Sequence, residues 1–500
     1  MRGWGWDVGT AKRSKRRDLS GSGEPGRSQS PHSTAAMQVA RGSESKAGPR
    51  EGGQEGGCEM TSTGQESTGS ADAAKRGAEG RDWSWVEAAV WTDRMVSALV
   101  DGVKGGRWYS LMDKVWAPAT LEAAWAKVRA NKGAAGVDGV SVERFAARAE
   151  VYLSELSAEL RAGRYRPRPV KRVEIAKADG RSRPLGIPAV KDRIAQTAVK
   201  LVIEPIYEAA FRDESYGFRP GRGCHDALRE VDRLVKAGFV HVVDADLAGY
   251  FDSIPHMALL ARLEARISDG RVLELIRQWL EQDVIGGLER WTPSAGTPQG
   301  AVLSPLLANI YLDPLDALMA DRGYRMVRYA DDFVVLCRST EAAEAALAEI
   351  RRWVGENGLR LHPDKTHLGD CRRWGQGFEF LGYRFEAGRR RVRKKSLDRL
   401  KDGIRAKTKR TRGASLSRIV ADLNPMLKGW LGYFKHAHRN TFAPLDKFTR
   451  RRLRALLSKQ VKRPDFGRSL AVQRRWPNKF FADAGLFALD TAWHAARHPR

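Results

Sequence analysis

The sequence predicts an α+β fold: an antiparallel sheet covered by helices, followed by a helical and strongly basic C-terminal third. Three observations predict it. Residues 325–337, RMVRYADDFVVLC, set two apolar, β-prone runs around adjacent carboxylates, Asp331 and Asp332, which is the pattern of a tight hairpin. Residues 239–251, FVHVVDADLAGYF, form a second buried-strand pattern that ends in Asp244 and Asp246. Helical periodicity between and after these runs makes 239–385 read roughly β-α-β-β-α-β.

Composition narrows the function classes. The chain has 500 residues, 42% of them hydrophobic, and a formal net charge of +27. That is enough apolar content for buried cores in several domains. So basic a chain most often meets a polyanion, above all nucleic acid. No apolar run approaches the ~20 residues needed to span a bilayer, and no apolar segment follows the basic N-terminus as it would in a secretory signal. Membrane is therefore not an expected partner. Cys58, Cys224, Cys337 and Cys371 stand alone without a C-x-x-C pair, which argues against a zinc ribbon or a disulfide framework and fits a reducing cytoplasm.

Along the chain, residues 1–80 are rich in Gly, Ser, Arg and Glu with few aliphatics, and disorder is expected where so little surface can be buried. Helical patterns follow at 82–100, 120–130 and 151–160, with a glycine-rich stretch at 131–139 that lacks phosphate-loop spacing and reads as a structural loop. Residues 165–188 predict a cation-crowded hairpin with an Asp-Gly turn, suited to gripping phosphate. A helix is expected over 191–211. The FRPGRG turn after it should expose Arg219 and Arg222 to a nucleic-acid backbone, while the lone His225 reads as structural. GTPQG at 296–300 is a loop entering an apolar helix, and Ser339 or Thr340 caps another helix. From Arg389 the chain is very basic, with amphipathic helices at 425–436 and 444–462. Lys428 and Lys435 lie off the apolar face of the first of these, where RNA can meet them.

The chemistry concentrates at the aspartates. An aspartate at the end of a buried strand is costly unless it binds something. Adjacent carboxylates repel, so a divalent cation is their natural partner. Carboxylates from two neighbouring strands can share hard cations that substrate phosphate also holds. The competing reading is two solvated surface turns, which would have to arise twice by chance.

The ordered blocks NKGAAGVDG, KADGRSRPLGIP with VKDR, YGFRPGRG, DADLAGYFDSI, GTPQGAVLSPLLANIYL, YADD, GLRLHPDKT and FEFLGYRF resemble the group II intron-encoded reverse transcriptase/maturases from about residue 111 to 385. ADLNPMLKGWLGYFKHA continues the resemblance into the family's thumb, or X, domain. The resemblance implies a right-hand polymerase arrangement of fingers and palm with an antiparallel palm sheet, plus an α-helical thumb/maturase domain. The layout it implies is a disordered segment at 1–80, an N-terminal extension at 81–140, fingers and palm at 141–386, thumb at 387–465 and a basic tail at 466–500. By the same carry-over, Asp246, Asp331 and Asp332 are the catalytic metal ligands for two Mg²⁺, with Asp244 behind them. Phe251 lies beneath the incoming sugar and excludes a 2′-hydroxyl, Lys177 and Arg183 hold the dNTP triphosphate, Gln299 lines the templating pocket, and Arg193 has no assigned role. The implied reaction is attack of a primer 3′-hydroxyl on the α-phosphorus of a dNTP. The implied partners are group II intron RNA, an RNA template/DNA primer duplex, target DNA and dNTPs, in a cytoplasmic setting, with a homodimer left open. The paired C-x-x-C motifs of an HNH endonuclease domain do not occur, so second-strand cleavage is not expected. Two other readings stay open: a splicing-only RNA-binding maturase, and a non-intron reverse transcriptase of the retron or diversity-generating type.

Overall fold

The computed structural model describes residues 81–176, 182–463 and 465–497. The expectation of disorder for 1–80, and the role given to Lys177, fall outside the described residues. In chain order the strands are β1 (Val170–Ala176), β2 (Ser182–Ile187), β3 (His241–Asp246), β4 (Val284–Gly286), β5 (Glu289–Trp291), β6 (Arg325–Tyr329), β7 (Asp332–Cys337), β8 (His367–Asp370), β9 (Phe378–Phe380), β10 (Tyr383–Glu386) and β11 (Arg389–Val392). They form three sheets, ordered β2-β1-β4-β5, β6-β7-β3-β8 and β11-β10-β9.

The central sheet is antiparallel throughout. Alternation along its strands sends Val243, Ala245, Phe333 and Val335 to one face and Val242, Val334 and Leu336 to the other, and each set joins a different hydrophobic core. The first core contains the helices Val190–Glu208 and Ser304–Asp321, which are apolar around most of their circumference and correspondingly buried. Pro305 enters the second of these at its first turn, where its missing N–H costs nothing. The helix Thr340–Glu356 begins at Ser339, whose hydroxyl accepts the Ala342 amide.

FEFLGYRF lies outside the central sheet. It supplies both β9 and β10 of a separate sheet, because Leu381 and Gly382 adopt positive φ and reverse the chain. Phe378 stacks on Phe385 across that hairpin at 4.9 Å. β11 pairs with β10 across residue 387, so the first basic residues of the C-terminal third are strand residues. The N-terminal helix is also shorter than its pattern predicts, spanning Asp93–Asp101.

Three helices, Lys394–Lys407, Leu416–Phe434 and Phe442–Gln460, build the C-terminal region. Leu423, Leu427, Leu431 and Phe434 are buried, whereas Lys428 and Lys435 are exposed. Three short helices follow, and their Phe481, Leu489 and Trp493 are buried in the same core. Tyr383 donates its hydroxyl to the Tyr433 carbonyl at 2.7 Å and Tyr433 donates to the Leu381 carbonyl at 2.8 Å, clamping the small sheet to the helix Leu416–Phe434. Among the described residues no helix is long and apolar enough to cross a membrane.

Candidate active site

The carboxylates converge by strand register. β3 and β7 pair antiparallel with Asp246 directly opposite Asp332 and Asp244 opposite Val334. Directly opposed residues share a face, so Asp244, Asp246 and Asp332 stand on one side of the sheet. Asp331 precedes β7 in a turn closed by Tyr329 opposite Asp332. Ala330 takes φ of +60° there, the left-handed conformation that lets the chain reverse within two residues.

Crowding shows in the proton affinities. Burial, and then the charges of Asp244, Asp331 and Asp246, push Asp332 up to about 7. Burial, with the charges of Glu379 and Asp246 adding to it, pushes Asp244 up to about 7. Asp331 is raised by burial and by Asp246, while the Arg183 guanidinium and the Lys365 ammonium oppose that rise. A neighbouring positive charge favours the ionised form of carboxylates held in this way. One is already present: Lys365 Nζ lies 2.7 Å from Asp246 Oδ2.

This donor set fits Mg²⁺. Its donors are hard oxygens, and the Lys365 ammonium shows that a cation reaches Asp246. Among the described residues no three His, Cys, Asp or Glu side chains form a ready-made cage for an ion.

The sequence-predicted substrate residues sit at the edge of this carboxylate group. Arg183 of β2 donates Nε to Gln299 Oε1 at 2.9 Å, and Gln299 Nε2 donates to Asp252 Oδ2 at 3.0 Å. Asp252 follows Phe251 on the short helix Tyr250–Ser253, directly beyond β3. The loop carrying Gln299 is pinned to that helix through Thr297 N, which donates to the Phe251 carbonyl at 2.6 Å. Gly296 permits the approach, since a Cβ there would meet the Asp252 backbone at 2.8 Å. Phe251 is half-buried and packs edge-on against Tyr250, with ring centroids 5.6 Å apart. Arg183, Gln299 and Phe251 are thus linked through Asp252 and the 296–299 backbone, and Arg183 is close enough to act on Asp331.

Asp252 and Lys365 contact candidate-site residues, and the sequence reading did not single them out. Both lie in quoted blocks, DADLAGYFDSI and GLRLHPDKT, so the signal was present, but nothing local reveals their partners 47 and 119 positions away. Arg219 corrects an expectation. Its side chain is buried and forks onto Glu208, with Nη2 to Oε1 at 2.6 Å, so it does not face nucleic acid. Arg222 donates to the Asp213 carbonyl at 2.8 Å and pairs with that residue's carboxylate. Arg193 now has a role: its guanidinium bonds the carbonyls of Pro188 and Ala134 at 3.1 and 2.6 Å, tying the 131–139 loop to the helix Val190–Glu208. His225 Nε2 lies 3.0 Å from the Tyr433 carbonyl, a structural contact.

Comparison with known proteins finds two matching families. Residues 175–385 match the family described as reverse transcriptase (RNA-dependent DNA polymerase), and residues 397–476 match the group II intron maturase-specific domain. Protein YkfC of Escherichia coli (strain K12) is 39% identical over 299 residues, covering 51% of this chain and 77% of that protein. The group II intron-encoded protein LtrA of Lactococcus lactis subsp. cremoris is 39% identical over 203 residues, covering 40% of this chain and 33% of LtrA. This chain therefore aligns with about a third of LtrA's length. A chain of a partial Cas6-RT-Cas1–Cas2 complex overlaps 49% of this chain and 42% of its own length at 25% identity, with a TM-score of 0.32.

Proposed function

The chain belongs to the reverse transcriptase/maturases encoded by group II introns, a family of RNA-directed DNA polymerases, and we propose that it copies intron RNA into cDNA while its basic C-terminal region binds that RNA and assists splicing. The observation that carries the polymerase reading is the register that sets Asp246 opposite Asp332 with Asp331 in the adjoining turn. Asp246, Asp331 and Asp332 would hold Mg²⁺ together with the phosphates of a dNTP. A divalent ion held by these carboxylates would supply activation of the primer 3′-hydroxyl and charge stabilisation for the leaving pyrophosphate.

The chain's own residues do the positioning. Arg183 offers a guanidinium fork to the triphosphate, and the hydrogen bond to Gln299 sets its direction. Asp252 orients Gln299 beside the template base, and Phe251 presents its ring to the sugar. Lys365 neutralises Asp246 until phosphate and cation arrive, and can then turn to substrate oxygens. Almost all of the rate enhancement in this reading comes from placement and charge neutralisation. Template–primer duplex, target DNA, intron RNA and dNTPs are the partners it requires, at a cytoplasmic, nucleic-acid-associated site of action.

The splicing-only alternative is disfavoured by the complete carboxylate set, and the non-intron alternative by the maturase-specific match over 397–476. The test is RNA-templated extension of a DNA primer by the purified chain. Wild type should incorporate dNTPs in a Mg²⁺-dependent manner, and Asp246→Asn should lower the rate by about 10³-fold or more. Full extension by Asp246→Asn contradicts the assignment.

A further inference from the structure

The segment that leads into the FRPGRG turn, residues 214–217, lies beside the Asp331–Asp332 turn. Residues 214–217 run along β6: the Glu214 carbonyl accepts the Arg328 amide and the Arg328 carbonyl accepts the Tyr216 amide, each at 2.8 Å. Gly217 then passes so close that a Cβ would run into the backbone nitrogen of Ala330. Asn309, from the helix Ser304–Asp321, donates its amide to the Gly217 carbonyl at 2.8 Å.

At the centre of this packing is one guanidinium. Arg328 is 0% exposed, as is Asp316. Arg328 Nε donates to Asp316 Oδ1 at 2.7 Å, and Nη2 bonds the other carboxylate oxygen. Nη1 donates to Asn309 Oδ1 at 2.9 Å and to the Ala330 carbonyl at 3.0 Å. Arg328 pairs with Phe333 while Tyr329 pairs with Asp332, so its side chain lies on the sheet face opposite Asp246 and Asp332. Fully buried there, it does not reach substrate.

We propose that Arg328 is the positioning residue of the Asp331–Asp332 turn, fixing the Ala330 carbonyl and so where the two carboxylates stand. Stability alone does not account for a charged pair at this place. Well-packed apolar residues of similar volume are often as stable as a buried ion pair, which carries a large desolvation cost. An apolar pair, however, cannot hold a carbonyl. Ala330 needs such a hold, because a non-glycine residue at positive φ persists only where its surroundings over-determine it. The Arg328 fork ties together the turn, Asn309 and, through Asn309, the 214–217 segment, so the residues ahead of FRPGRG support the turn from beneath.

The proposal rests on reading those aspartates as the polymerase carboxylates, and Asp331→Ala separates the two claims. If Asp331→Ala stays active, the reading of the site fails whatever Arg328 does. The test compares wild type with the double variant Arg328→Met/Asp316→Leu, which removes both charges, and with Arg328→Lys, which keeps the charge but not the fork. The measurements are unfolding midpoint, template–primer affinity, single-turnover rate and dNTP KM, together with amide hydrogen exchange at 329–332. The expected result is an unchanged midpoint and template–primer affinity, a rate about 10²-fold lower, and faster exchange confined to the turn. Arg328→Lys should show the same pattern, and it carries the test if the double variant does not fold. A wild-type rate in a folded variant overturns the proposal. So does a rate loss matched by equal losses of template–primer affinity and unfolding midpoint, since that would mark a general packing role.

Discussion

Phe251 illustrates how much a single side chain can decide. Phe251 lies five residues after Asp246 on a short helix beyond β3, and the 296–299 loop bonds its carbonyl. The backbone of Phe251 is thereby tied to that loop, and its ring packs edge-on against Tyr250. A ring fixed beneath the sugar discriminates by excluding a hydroxyl, and steric discrimination of this size spans roughly 10–100-fold. Phe251→Val should admit ribonucleotides, lowering the dNTP-to-rNTP ratio of kcat/KM by about that factor. A ratio equal to that of wild type would show that another group is the gate. At this scale the carboxylates were legible because aspartates at the end of an apolar run have few innocent explanations. Asp252 and Lys365 were not, because a charged residue among other polar residues looks the same whether it faces water or a distant partner.

Elements were legible where burial is uniform. β3, β7 and the helix Ser304–Asp321 carry long apolar runs, and each formed where the pattern placed it. The short strands β4 and β5 have only three residues each, too few for a period to show. The 213–223 loop was misjudged for a different reason. Arginine beside glycine and proline ordinarily means an exposed turn, but Glu208 at the end of the preceding helix supplies a buried partner only eleven residues earlier. The correction is testable. Arg219→Met leaves Glu208 buried with Arg81 as its remaining cation, and should lower unfolding stability by about 3 kcal/mol, the low end for breaking a buried pair. RNA affinity at a temperature where the variant is folded should be unchanged. A variant with wild-type stability but weakened RNA binding would restore the original reading of that loop.

Over the whole molecule, the central sheet places two activities side by side. One face carries Asp244, Asp246 and Asp332, and on that same side the second hydrophobic core runs from Val242 and Leu336 into the C-terminal helices. The net charge of +27 and the exposed Lys428 and Lys435 provide the long-range attraction that RNA binding needs. The carboxylates provide a local site whose removal alters one or two charges among many. Binding and synthesis should therefore be separable. The most direct test is one preparation of Asp331→Ala, measured side by side with wild type for intron-RNA affinity and for Mg²⁺-dependent cDNA synthesis. The account predicts cDNA synthesis reduced to background, with an intron-RNA Kd within about twofold of wild type, because phosphate contacts dominate affinity. Synthesis at the wild-type rate would contradict it.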